Sequence, residues 1–144
     1  MATLSKSTAA RGSVSFGAVV QATLIGAVLA IVVNIILWAL AGVLNIPLIV
    51  APGGPGSPAM PLPIPPIIIF SVIPAILGGL LYFVLTKITA RGATIFTIIA
   101  VVIAVLSLLA LPAQPMGVAG MLVLALMHLF TAGIITGSLT MRAK

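Results

Sequence analysis

Four stretches of about 20 or more residues carry no charged side chain: about Ser15 to Leu44, Pro66 to Thr86, about Gly92 to Leu111, and Met116 to about Thr140. A bilayer's hydrocarbon core is crossed by about 20 apolar helical residues, and helical backbone satisfies its own polar groups inside lipid. The chain therefore reads as an all-α integral membrane four-helix transmembrane bundle, a single domain over residues 1–144. At 1.5 Å per residue the last three spans extend roughly 30 to 37 Å and the first roughly 45 Å. The first must tilt strongly or project beyond the bilayer. Its rival reading is a signal peptide, with Lys6 and Arg11 ahead of the apolar run and Ala39-Leu40-Ala41 as a cleavage site. The run is far longer than the 7 to 15 residues such a leader uses, which favours a retained helix.

Orientation follows from where the six Lys and Arg fall. Lys6 and Arg11 precede span one, Lys87 and Arg91 bracket the inner turn 87–91, and Arg142 and Lys144 follow span four. The outer loop 45–65 and the connection from Pro112 to Pro115 are uncharged. Short loops rich in Lys and Arg stay in the cytoplasm. The bundle is thus N-in and C-in, and its Pro/Gly-rich extracytoplasmic loop lies between helices 1 and 2. Trp38 falls near the outer surface, and Tyr82 and Phe96 near the inner one.

There is no Asp, Glu or Cys in the chain. That removes paired-carboxylate acid–base work, carboxylate or thiolate metal cages, Ser-His-Asp triads and thiol catalysis, and the expectation is that the protein is not an enzyme. It also strips each basic pair of a side-chain counter-ion, leaving these cations to meet anionic lipid headgroups. The net charge of +6 is split into pairs rather than gathered in a patch, so no nucleic-acid partner is expected.

Eight prolines lie from Pro47 to Pro66, through the outer loop to the start of span two, a density that opposes helix and central strand and favours polyproline II with Gly hinges. The loop's Ile46, Leu48, Ile49, Val50, Met60, Leu62 and Ile64 must lie against something: the bundle's own outer face, a partner subunit, or the membrane interface. Within lipid, small residues mark where helices approach closely. Span one spaces Ala18, Ala22, Gly26, Ala30, Asn34, Trp38 and Gly42 at four-residue intervals, a row that winds slowly so that its ends meet different neighbours. Span two offers Ser71, Ala75, Gly78, Gly79 and Tyr82, with Pro74 interrupting its hydrogen bonds. Span three carries the seam Thr97, Ala100, Ala104, Ser107, Leu111. In span four Gly133 and Gly137 form a GxxxG, open to packing inside the bundle or to dimerisation.

The intramembrane polar candidates are Asn34, Ser71, Ser107 and His128, and His128 alone among them is ionisable. Counted from Gly117, His128 lies roughly 16 Å deep, and Asn34 roughly 15 Å from Leu44, so the two can share one depth. Three roles stand open for His128: hydrogen bonding to Asn34, Ser107 or Thr131 as bundle cement; axial ligation of a haem or chlorin; or a proton or substrate site in a pore. Ser71 and Ser107 are expected to bond their own helix carbonyls.

Pro65-Pro66 opening span two, Gly78-Gly79 within it, Arg91 opening span three, Val105-Leu106-Ser107-Leu108-Leu109 closed by Pro112, and Met127-His128-Leu129 form a pattern from about Pro66 to Leu139. It resembles an uncharacterised bacterial family of small four-span membrane proteins, a domain of unknown function. The resemblance implies four spans and a bacterial cytoplasmic membrane, and no activity. The leading functional expectation is a structural or accessory subunit of a membrane assembly or homo-oligomer, with the lipid bilayer and other membrane subunits or itself as partners. An oligomeric channel or small-solute carrier, and a tetrapyrrole-binding protein using His128, are the alternatives.

Overall fold

The computed structural model describes residues 14–54 and 56–143. Four helices, α1 (Phe16–Val43), α2 (Ile64–Ile88), α3 (Gly92–Leu109) and α4 (Val118–Arg142), are each long and apolar enough to cross a membrane, α3 with the 3₁₀ turn Leu111–Ala113 that extends it. Each helix edge falls within about two residues of the break in the apolar run. Local chemistry sets these edges. Ser15 caps α1, its side chain accepting from the Ala18 N–H at 3.1 Å. At the other end Asn45 adopts φ 55, the Ile46 N–H donates to the Ala41 carbonyl at 2.8 Å, and the Asn45 N–H donates to Gly42. This is a Schellman closure with Asn in the left-handed position. Pro65 and Pro66 sit in the first turn of α2, where missing N–H groups cost nothing, while Pro74 lies inside it.

α1 packs against α2 and α4, α3 packs against the same two, and α2 touches α4. Phe16 meets Phe83 near the start of α1, and Asn34 meets Ser71 further along, so α1 and α2 run antiparallel. Gly26 against Ser138 and Asn34 against Thr131 make α4 antiparallel to α1 as well. Lys87, Arg91 and Arg142 therefore share the end where α1 begins, and the uncharged connections share the other. Lys6, Arg11 and Lys144 lie outside the described residues.

The core cluster sits toward the charged end: Val19, Ala22, Ala27, Ala75, Tyr82, Phe96, Ile135, Leu139 and Ala143. Tyr82 and Phe96 meet edge to face, 5.3 Å between centroids, inside this cluster rather than at an exposed belt. Ala22, Gly26, Ala30 and Asn34 of the α1 row are buried, while Gly42 at its end is exposed. Of α3 only Gly92 and Phe96 are buried. Its seam residues Thr97, Ala100, Ala104 and Ser107 are half-buried, and its Val101, Val102, Val105, Leu106 and Leu109 face outward.

The connection between α1 and α2 departs from the polyproline expectation. Strands β1 (Ile49–Val50) and β2 (Met60–Pro61) form a small antiparallel hairpin, Ile49 opposite Pro61 and Val50 opposite Met60. Two-residue strands demand so few donors that proline is tolerated, and Gly54 and Gly56, at φ of 88° and 89°, turn the chain as only glycine readily does. The hairpin folds back on the bundle. Trp38 Nε1 donates to the Leu62 carbonyl at 2.9 Å, the Ala51 N–H donates to Gln114 Oε1 at 2.9 Å, and Leu48 and Ala51 are buried. A Cβ on Gly120 would lie 2.8 Å from the Pro47 carbonyl oxygen, so the loop's entry rests directly on the first turn of α4.

Candidate functional site

The polar centre of the bundle is one amide. Asn34, 5% exposed, donates through Nδ2 to Ser71 Oγ at 3.1 Å and to Thr131 Oγ1 at 2.8 Å, tying α1 to α2 and α4. Ser71, fully buried, gives its own proton to the Ile67 carbonyl at 2.8 Å and so meets Asn34 as an acceptor. Turning the amide over would set Oδ1 against a hydroxyl whose proton is already placed. The observed orientation leaves Asn34 Oδ1 buried without a hydrogen-bond partner. Groups of this kind are rare, because an unmatched buried acceptor forfeits its hydration.

His128 does not pair with Asn34. Its Nδ1 lies 2.7 Å from the Leu124 carbonyl one turn earlier, and Thr131 takes the place opposite Asn34. Three residues advance a helix by 300°, so Thr131 and His128 point about 60° apart, and only Thr131 reaches α1. The expected bond to Ser107 is also not formed: Ser107 donates to its own Ala104 carbonyl at 2.7 Å. Because a carbonyl only accepts, Nδ1 carries the proton and the lone pair of the neutral ring is at Nε2. An N–H held by a backbone carbonyl is how ligating imidazoles fix their tautomer. No group of three or more His, Cys, Asp or Glu stands together among the described residues.

The small residues divide into two sets. Ala22, Gly26, Ala30 and Gly79 lie in helix seams: a Cβ on Gly26 would come within 3.2 Å of Ser138 Cβ, and one on Gly79 would strike the Thr23 hydroxyl. Gly133 and Gly137 differ, since a Cβ on either would meet nothing within 4 Å. Gly133 is exposed and Gly137 half-buried, and on the Cβ side of each the GxxxG of α4 has no helix of the bundle against it.

At the charged end Lys87, Arg91 and Arg142 are exposed. The Lys87 ammonium stands 5.3 Å from the Phe83 ring centroid, and Phe83 meets Phe16 edge to face at 5.4 Å. Three structural positions escaped sequence reasoning. Thr23 opposes Gly79, Gln114 holds the hairpin, and Gly92 admits the backbone of Leu85 and Thr86 at 2.5 to 2.6 Å from where its Cβ would be. Gln114 did carry a signal, being the only amide side chain in the short connection between α3 and α4.

Four apolar helices closing around an interhelical amide define a small polytopic membrane protein of four spans. The chain belongs to the family of unknown function DUF6069, whose model matches residues 14–144 and so takes in α1 as well as the later spans. No curated protein and no solved structure matches the chain.

Proposed function

We propose that the protein is a structural or accessory membrane subunit, without catalytic activity, that associates through α4 with itself or with other membrane subunits. The observation that carries this reading is the outward GxxxG. In lipid the bulky faces of a helix gain nothing by leaving the acyl chains, whereas exposed glycines let another backbone approach closely. Gly133 and Gly137 have no such neighbour within the chain. The interior offers little room for a substrate by comparison: the three-helix contact is filled by Ala22, Ala30, Ala75 and the hydrogen-bonded Asn34 cluster.

The same reading sets the protein in a bacterial cytoplasmic membrane with both termini inside. The supporting feature is the charge distribution, with Lys87, Arg91 and Arg142 at one end and an uncharged hairpin at the other. A terminal tag that reacts with an impermeant reagent from the periplasm would contradict it.

Association is tested by purifying wild type and a Gly133→Leu/Gly137→Leu variant in mild detergent and measuring mass by light scattering. Wild type should run as an oligomer or with a partner, and the variant as a monomer with unchanged helicity and melting. A monomeric, partnerless wild type, or a variant that associates as before, refutes the proposal.

A second reading, tetrapyrrole binding, is favoured by one observation: the Nδ1–H bond to Leu124 leaves Nε2 of His128 as the available donor atom. A Soret or chlorin band in the purified protein that disappears in His128→Leu would support it, and a colourless preparation would end it.

A further inference from the structure

We propose that the end of the bundle bearing Lys87, Arg91 and Arg142 is a binding surface for the phosphate headgroups of anionic phospholipids. The argument begins with charge. The chain carries six Lys and Arg and no Asp or Glu, so no side chain can neutralise any of them. Lys87 in the last turn of α2, Arg91 before α3 and Arg142 in the last turn of α4 are all exposed, and the antiparallel packing gathers them at one end.

What surrounds the cations selects the anion. Lys87 and Arg142 each adjoin a large apolar side chain turned outward: Ile88, 72% exposed, follows Lys87, and Met141, 75% exposed, precedes Arg142. Phe16, also exposed, stands at the same end. A cation beside an outward apolar side chain matches an amphiphile, whose phosphate meets the charge while its acyl chain runs down the helix. A soluble polyanion would leave that apolar collar uncovered. Lys87 is further held by its ammonium lying over Phe83, which is itself braced on Phe16, so less side-chain freedom is lost on binding. The opposite end, with its uncharged hairpin, has no equivalent, and the preference therefore acts on one leaflet.

The test uses the full chain reconstituted in phosphatidylcholine vesicles containing a trace of spin-labelled phosphatidylglycerol or spin-labelled phosphatidylcholine, with the immobilised fraction of each read by electron paramagnetic resonance. Wild type should hold the anionic probe at least several-fold more strongly at low salt, since one interfacial cation supplies roughly fivefold. The preference should collapse at about 1 M salt, where the screening length falls to about 3 Å. A Lys87→Gln/Arg91→Gln/Arg142→Gln variant should lose most of it, and Lys87→Arg/Arg91→Lys/Arg142→Lys should keep it with the same helicity. Equal binding of both probes by wild type, or an undiminished preference in the Gln variant, overturns the proposal. So does loss of the preference in the charge-conserving variant. Competition by inorganic phosphate beyond that of chloride at equal ionic strength would assign the surface to a soluble anion and overturn it equally.

Discussion

Replacing Asn34 by Leu should leave the bundle's stability within about 1 kcal/mol of wild type, although Asn34 makes two interhelical hydrogen bonds at the centre of the fold. Such bonds between membrane helices average about 0.6 kcal/mol and reach about 1.7, so the pair contributes roughly 1 to 3 kcal/mol. Against this stands Oδ1, buried and unpaired. An unmatched buried acceptor costs about 1 to 3 kcal/mol, and Leu abolishes that cost while nearly preserving side-chain volume. Neither partner is stranded by the change. Ser71 keeps its bond to the Ile67 carbonyl, and the Thr131 hydroxyl can turn to the carbonyl one helical turn before it.

Asn34→Asp runs the other way. It removes both amide donors and sets a carboxyl in the middle of a span, where an acidic residue costs about 3 kcal/mol. The assay is reversible unfolding of the detergent-solubilised protein by added dodecyl sulfate, followed by far-ultraviolet circular dichroism. The expected order is Leu near wild type and Asp well below both. A loss of more than about 3 kcal/mol in Asn34→Leu would refute the reasoning. It would mean that Oδ1 is paired in the membrane, or that the Ser71–Asn34–Thr131 bonds reinforce one another beyond their pairwise values. Coupling Asn34→Leu with Thr131→Val in a double-mutant cycle separates these outcomes, since independent bonds give about 0.6 to 1.7 kcal/mol.

Gly92→Ala should be among the most damaging single changes, because its Cβ would stand 2.5 Å from Leu85 C and O and 2.6 Å from Thr86 Cα, all backbone; a loss of about 3 kcal/mol or more is expected in the same unfolding assay. Gly79→Ala should destabilise by about 1 to 3 kcal/mol through its clash with the Thr23 hydroxyl, and Thr23→Ala in the same chain should restore most of that; no recovery would place the strain elsewhere. Trp38→Phe removes the 2.9 Å bond to the Leu62 carbonyl and Gln114→Leu the one from the Ala51 N–H. Each should lower stability by about 1 kcal/mol and raise amide hydrogen exchange in residues 45–63 while leaving the helices protected.

The parts of this fold that were legible in sequence are those set by one-dimensional rules. Helix edges follow the thickness of lipid and the punctuation of Ser15, Asn45, the Pro65-Pro66 pair and Arg91. The buried face of α1 follows an interval of four in its middle, which Ala22, Gly26, Ala30 and Asn34 keep, while Ala18 and Trp38 are half-buried and Gly42 is exposed. Equal depth gave no such guide to polar pairing. Asn34 and His128 can share a level, yet whether they meet depends on a rotation of about 60° about the axis of α4, and that rotation is fixed by how Ile135 and Ser138 pack against Gly26. The hairpin was hidden for a related reason: its two-residue ladder is held by Trp38 and Gln114 from other segments rather than by its own propensity.

Every helix leaves a face uncovered by the chain, and those of α3 and α4 do not mean the same thing. On α3 the outward residues are Ile98, Val101, Val102, Val105, Leu106 and Leu109, a surface that acyl chains cover as well as any protein. Its exposure is no argument for a partner, because no hydrophobic gain follows from moving such side chains out of lipid into a helix contact. On α4 the outward face instead includes Gly133 and Gly137, between Phe130 and Met141. Two glycines in a span carry an intrinsic cost relative to alanine, about 1 kcal/mol each in helices generally. At Gly26 and Gly79 that cost is offset by the close approach of Ser138 and Thr23. At Gly133 and Gly137 nothing inside the chain offsets it, which is why the association proposed above is assigned to α4 and not to the more exposed α3.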